Sequence, residues 1–196
     1  MAITKADKRE LDQLRYRRSD FTLKPDEIES LRRQYRPMAM SLLLVGESVP
    51  AGGTFFYKAD SYLYEHTHEG FAAVFGDACG TDKQFLQFFK QCGCYLDDLS
   101  PTPVNDLDDP DRILARQLGI PGLAERLRAY RPNAIVVVMK QIISEVDHAV
   151  RLAALEAVPR YSLPFPVRWP KNIERFVTGL ADILRNHVQV DGERIR

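Results

Sequence analysis

Two acidic positions follow apolar runs and could do acid–base work. Glu47 stands in Gly46-Glu47-Ser48, after the run Ser41-Leu42-Leu43-Leu44-Val45, and Asp98 stands in Tyr95-Leu96-Asp97-Asp98-Leu99. A carboxylate can act as a general base, position a water or offset a developing positive charge; Ser48 cannot act as a general base near neutral pH and alone cannot offset positive charge. An ionised Asp98 only accepts hydrogen bonds, so it suits an exocyclic amine or a ring N–H and repels a carbonyl oxygen. It could equally be an N-cap or turn residue ahead of Pro101 and Pro103. After Glu47 come Pro50 and Gly52-Gly53, which permit close backbone approach, and then Phe55, Phe56 and Tyr57. These rings either give a planar ligand a flat face or plug the core beneath the loop. Farther along, Phe165, Arg168, Trp169 and Lys171 combine stacking surface with cations suited to phosphates. The alternative there is a helix start, with Pro170 in the first turn and Trp169 capping the core.

Other spacings carry less. The glycine loop lacks the Gly-Lys-Ser/Thr of a phosphate-binding loop and the order of a dinucleotide fingerprint. His66-Thr67-His68 and Cys92-Gly93-Cys94 are weak zinc spacings, better read as polar helix surface and the start of a strand, so no metal is expected. Asp106, Asp108, Asp109 and Asp111 read as a turn and helix start, since no spaced Gly and distal Glu complete a calcium loop. His148 and His187 fall on helical segments and read as solvated.

The elements that must position these residues alternate. Apolar runs at 41–45, 95–99 and 134–139, with a weaker one at 157–163, suit strands buried on both faces. Between and after them lie amphipathic helical patterns. Asp82–Gln91 carries Phe85, Leu86, Phe88 and Phe89; 111–130 carries Leu114, Leu118, Leu123 and Leu127, with Pro121 expected to split it. Segments 142–155 and 172–185 repeat the pattern. Such alternation implies a parallel sheet with right-handed crossovers, helices on both faces and a ligand crevice at the carboxyl ends of the strands. Upstream, Pro25 opens a short helix with Asp26, Glu27 and Glu29 in its first turn, ending before Pro37. The expected division is a charged, helical extension over 1–37, holding Arg15, Arg17, Arg18, Arg32, Arg33 and Arg36, then one domain over 38–190 and a tail over 191–196.

Composition sets outer limits. The 196 residues balance 27 Lys and Arg against 27 Asp and Glu, which excludes a polycation that binds nucleic acid by charge alone. A hydrophobic fraction of 45% is enough for a substantial core without staples. Three Cys, an odd number, do not read as a disulfide framework. No apolar run approaches the roughly 18 residues of a membrane span, and the charged first 20 residues do not read as a signal peptide, so a cytoplasmic domain is expected.

Leu43-Leu44-Val45-Gly46-Glu47-Ser48, Gly53-Thr54-Phe55-Phe56 and Leu163-Pro164-Phe165-Pro166, in that order, resemble the uracil-DNA glycosylase superfamily, and more closely its uncharacterised bacterial branch. The similarity runs over 38–185. It implies a three-layer α/β/α fold with a four-stranded, mostly parallel sheet, and a pocket that accepts an extruded base and hydrolyses its N-glycosidic bond. It also implies a base slot formed by Gly46, Pro50, Gly53, Phe55, Phe56 and Asp98, with Phe56, or alternatively Phe55, stacking on the base. Ser48 stands where the family often has the Asp or Asn that handles water, with Glu47 beside it. Asp98 stands near an Asn that reads the base edge. Leu163 replaces a histidine that donates to the leaving base, leaving Arg168 to supply positive charge. Damaged or single-stranded DNA is the expected partner, with Phe165, Arg168, Trp169 and Lys171 as contacts and no cofactor. The alternative is a catalytically inactive binder of nucleic acid, nucleobase or nucleotide on the same scaffold.

Overall fold

The computed structural model describes residues 24–49, 54–167, 169–190 and 193–194. In chain order the main elements are α1 (Pro25–Gln34), β1 (Leu42–Ser48), α2 (Tyr62–Phe75), α3 (Asp82–Gln91), β2 (Cys94–Ser100), α4 (Asp109–Tyr130), β3 (Ala134–Val138), α5 (Ile143–Leu152), β4 (Arg160–Leu163) and α6 (Pro170–His187). Two short strands, Gln189–Val190 and Glu193–Arg194, pair antiparallel at the end, so part of the expected tail is paired.

The four longer strands form one sheet in the order β2-β1-β3-β4, and every pairing is parallel. The central strands are the apolar runs: Leu42 to Val45 and Ala134 to Val138 are all buried. Passage from β1 to β2 runs one way along the sheet and from β2 to β3 the other, so right-handed crossovers place their helices on opposite faces. The packing agrees, since α2 lies on α6, and α4 lies on α5 and on β2. The fold is α/β, with an all-parallel four-stranded sheet between helices. Among the described residues no helix is long and apolar enough to cross a membrane.

An edge strand normally exposes unpaired N–H and C=O groups. Here β2, on one edge, is buried along its whole length. The Tyr57 hydroxyl closes it, donating to the Leu96 carbonyl at 2.9 Å and accepting from the Leu96 N–H at 2.8 Å. Tyr35, just after α1, stacks on Tyr57 at 5.6 Å, and Ile28 and Arg32 of α1 are buried. A boundary at residue 37 therefore does not separate α1 from the core. Residues 1–23, the rest of the expected extension, lie outside the described residues.

Helix α4 departs from expectation in two ways. It runs unbroken through Pro121. Both Pro121 and Gln117, whose carbonyl loses its helical N–H partner at that proline, are exposed, so the proline falls on the solvent side of the helix. The second departure is its buried face. Leu123 and Leu127 are in the core, but Leu114 and Leu118 are 52% and 72% exposed. The inward stripe instead runs through Arg112, Arg116, Gly119, Leu123 and Leu127, which repeat at helical spacing. Its first turns bring charge, not aliphatic surface, to the end of the sheet.

At Gly119 the backbone of α4 comes close to β2. A Cβ there would collide with the Leu99 carbonyl oxygen and stand 3.0 Å from its carbon. Gly119→Ala should therefore lower the unfolding free energy by ~1–3 kcal/mol despite alanine's better helix propensity. Gly122→Ala, which would meet only the flexible end of Arg126, should raise it by up to ~1 kcal/mol. Urea unfolding of the two variants checks this, and equal effects would refute the close approach.

Candidate functional site

The carboxyl ends of the strands open onto a cleft of about 1050 Å³, lined by Gly46, Glu47 and Ser48 of β1, Asp98 of β2, Met139 after β3, and Ser162 and Leu163 of β4. The chain leaves β1 toward β2 on one side while β3 lies on the other, which makes this the point where connections diverge and a crevice forms. Gly46, Glu47 and Ser48 prolong the first strand rather than looping away from it.

Glu47 accepts from Arg112 Nε at 2.7 Å, and Arg112 Nη2 bonds its second oxygen; Arg116 Nε adds a bond at 2.7 Å. Burial pushes the Glu47 carboxyl up, but the hydrogen bonds from Arg112 and Arg116 outweigh it and hold the group below the ordinary glutamate value. Such a carboxylate stays ionised and is a weak base.

Asp98 pairs in register with Gly46, and its carboxyl lies where a Cβ on residue 46 would be. It is a buried strand residue, not an N-cap or turn. Arg32 of α1 bonds its other oxygen and lies 3.5 Å from Asp97, while Arg126 of α4 donates to Asp97 at 2.7 Å and to the Asp98 carbonyl at 2.6 Å. Burial raises the Asp98 carboxyl to about 6, Arg32 pulling against it and Asp97 pushing with it. Burial also works against charge on Arg32, but Asp98 and Asp97 overcome that and keep the guanidinium protonated. Proton uptake as the pH falls through about 6 therefore takes place on Asp98.

Ser48 is tied into the backbone, donating to the Val49 carbonyl at 3.0 Å and accepting from the Val104 N–H at 3.3 Å. Phe55 and Phe56 both line the cleft but are only 2% exposed, so they plug the core beneath it and present no open flat face. Phe56 is enclosed by Tyr57, Tyr64 and Phe89 at centroid distances of 5.1, 5.9 and 5.3 Å, and Arg32 lies 5.8 Å from the Phe55 centroid. The open aromatic surface belongs to half-buried Phe165 and to Trp169, 68% exposed at the start of α6. Trp169 does precede a helix opened by Pro170, but it does not cap the core. Leu163, buried, lines the cleft without any polar donor.

Lys171 is exposed on the first turn of α6 and is not among the lining residues. Pro50, Gly53 and Arg168 lie outside the described residues, as does Gly52.

The sequence pattern did not single out Arg112 and Arg116 as partners of Glu47, although their spacing of four on one helix face was a signal. Nor did it pick out Lys140 and Arg175, exposed lining residues, or Met139. Met139 adopts φ 126° and ψ 122°, a conformation L side chains avoid and one that costs ~1–3 kcal/mol. It is held by its N–H donating to Leu163 O at 3.1 Å and its carbonyl accepting from Ile142 N at 3.4 Å.

The histidine pair is not polar surface. His66 is buried beside Glu69, its Nδ1 at 2.9 Å, and half-buried His68 donates from Nε2 to the Gly80 carbonyl at 2.6 Å. His187 is half-buried against the Tyr161 hydroxyl at 2.7 Å, whereas His148 is exposed. Among the described residues no group of three or more His, Cys, Asp or Glu is placed to hold a metal ion.

Folded Asp98 keeps its proton up to about pH 6, against an ordinary value of 3.8. Its contribution to stability is thus complete below 3.8 and is lost as pH rises through 6. Between about pH 4 and pH 7 the wild type should lose about 3 kcal/mol relative to Asp98→Asn. Chemical unfolding of both across that range measures the gap; a gap independent of pH would contradict a raised carboxyl. In comparison with known proteins, no family model matches the chain and no curated protein matches it.

Proposed function

We propose that this chain is a uracil-DNA glycosylase-like protein whose cleft takes up an extruded or damaged base from a DNA strand. One observation carries it: residues from 46–48, 54–56 and 162–165, far apart in sequence, line a single cleft together with Asp98. These are the segments in which the resemblance to that superfamily resides. The α/β core with its four-stranded parallel sheet is in keeping with the same reading.

A base entering the cleft meets Trp169 and Phe165 as stacking surfaces, with the buried Phe55 and Phe56 also in the lining. Stacking on such rings is worth ~1–3 kcal/mol for any base. Extrusion costs a few kcal/mol and is cheapest at damage, at a mismatch or in a single strand, so those substrates are favoured. Binding needs only this surface.

Hydrolysis of the N-glycosidic bond is the second reading, and Asp98 favours it. A carboxyl that titrates at about 6 beside the cleft can exchange a proton with a water or a departing base. Glu47 suits that work less, being held ionised by two arginines, and Leu163 offers a leaving base no hydrogen bond.

Trp169 is the single tryptophan of the chain, so its fluorescence reports on the cleft. Single-stranded oligonucleotides bearing uracil, hypoxanthine, xanthine or alkylated bases should quench it, and Trp169→Ala should weaken binding by about tenfold in an anisotropy assay. Base release that is scored as abasic sites and lost in Asp98→Asn supports hydrolysis; binding without release supports the inactive form. Absence of both quenching and anisotropy change would refute the proposal.

A further inference from the structure

Large apolar side chains that water can reach are concentrated on one helix. Of the seven exposed ones among the described residues, Leu107, Ile113, Leu114 and Leu118 belong to α4 or to the turn ahead of it. Single apolar residues on a surface need no explanation, but a contiguous strip marks a contact. Here the strip has a pattern. Asp111, Leu114, Leu118, Pro121, Glu125 and Arg128 follow one another along α4 at alternating spacings of three and four, and all six are exposed. That spacing is the seam of a helix pair. It lies on the side of α4 opposite the one that gives Arg112 and Arg116 to Glu47 and Leu123 and Leu127 to the core.

We propose that this seam is the contact surface of a homodimer, in which α4 packs antiparallel on α4 of a second copy across a two-fold axis. The charges select both the partner and the direction. Outward from its midpoint the seam offers Leu118 and Pro121, then Leu114 and Glu125, then Asp111 and Arg128. A second copy running the other way sets Leu118 on Pro121 and closes each end with Asp111 against Arg128, whereas a parallel copy sets like charge on like. Among the described residues neither Asp111 nor Arg128 has an ion-pair partner, and Arg128 donates to the Leu152 carbonyl. Exposed Asp108 and Asp109 ahead of the seam and Arg131 beyond it extend the same complementarity, and antiparallel helix dipoles act in the same sense. Glu125 falls opposite Leu114 and beside Arg128 of its own helix. A two-fold contact uses one patch on both copies and closes at two. The seam is about 26 Å long. With two leucines a side it suits a weak dimer, with Kd on the order of micromolar, and not an obligate one. It is independent of whether the cleft takes a base.

Sedimentation velocity of the full chain at low ionic strength, where exposed charge pairs count most, tests this. From about 1 to about 500 μM the mass should rise from one chain toward two. Leu118→Glu should weaken association at least about tenfold. Leu118 is 72% exposed, so that variant should keep the wild-type urea midpoint. Asp111→Lys and Arg128→Glu should each weaken the dimer by about tenfold, because each sets like charges together at both ends. An equimolar mixture of those two variants should recover wild-type association, since the mixed pair has opposite charges at both ends. One chain at every concentration of the wild type overturns the proposal, and so does growth beyond two. A dimer indifferent to Leu118→Glu lies on another face and overturns it. A dimer that needs Leu118 but is no better in the mixture than in either variant alone overturns the antiparallel pairing.

Discussion

Three carboxylates at the carboxyl ends of adjacent strands, Glu47, Asp97 and Asp98, are tolerated only because arginines reach them from two helices. A buried acid left alone costs several kcal/mol, and removing one partner of such a pair typically costs ~3–5 kcal/mol. The arrangement therefore ties α1 and α4 to the end of the sheet through charge as well as through apolar packing. It also determines smaller features. Residue 46 is glycine because the Asp98 carboxyl fills the place of its side chain. The inward face of α4 starts with Arg112 and Arg116 because its first turns lie over Glu47 and not over the aliphatic core. Arginine suits this role better than lysine, since its fork bonds two oxygens and its charge survives burial.

The same lattice decides what chemistry the cleft has to offer. A chain of zero formal charge can still present an electropositive site if its acids are consumed internally. Glu47 and Asp98 line the cleft, yet each already has a cation within hydrogen-bond reach, whereas among the described residues Lys140 and Arg175 have no acidic partner. The acids that look catalytic in the sequence are, in the fold, largely structural, and of the two only Asp98 keeps a proton equilibrium near neutrality. Binding thus stands on firmer physical ground than hydrolysis.

The sheet was legible because its information is local: four apolar runs separated by helix-period segments are enough to give parallel pairing. Helix α3 matches its pattern from Asp82 to Gln91, since alternation of Phe85, Leu86 and Phe89 with charged residues leaves one face to bury. Pro121 misled because a proline's cost depends on which side of the helix it faces, and that side is set by packing. Leu114 and Leu118 misled for a related reason, as a stripe of leucines can be overruled by a stripe of arginines when the facing surface is acidic. The site was legible only in part. Gly46, Glu47, Phe55, Phe56 and Asp98 do gather at one cleft, but the arginines that hold Glu47 and Asp98, Arg32, Arg112, Arg116 and Arg126, come from 28 to 69 residues away in sequence, and which acid each one meets leaves no local trace.

The two edges of the sheet illustrate how position in the fold separates support from function. Beyond β2 the Tyr57 hydroxyl, Tyr35 and α1 close the edge, and every residue of that strand is buried. β4 is left more open, with Arg160 and Ser162 exposed, and its end runs into the cleft through Leu163, Pro164 and Phe165. The acids with their arginines thus lie toward the β2 side, and Lys140 and Arg175, which have no partner among the described residues, come from after β3 and from α6. The open aromatic surface, Phe165 and Trp169, lies on that same more open side. The asymmetry of the sheet, more than any single residue, is what gives the cleft a direction.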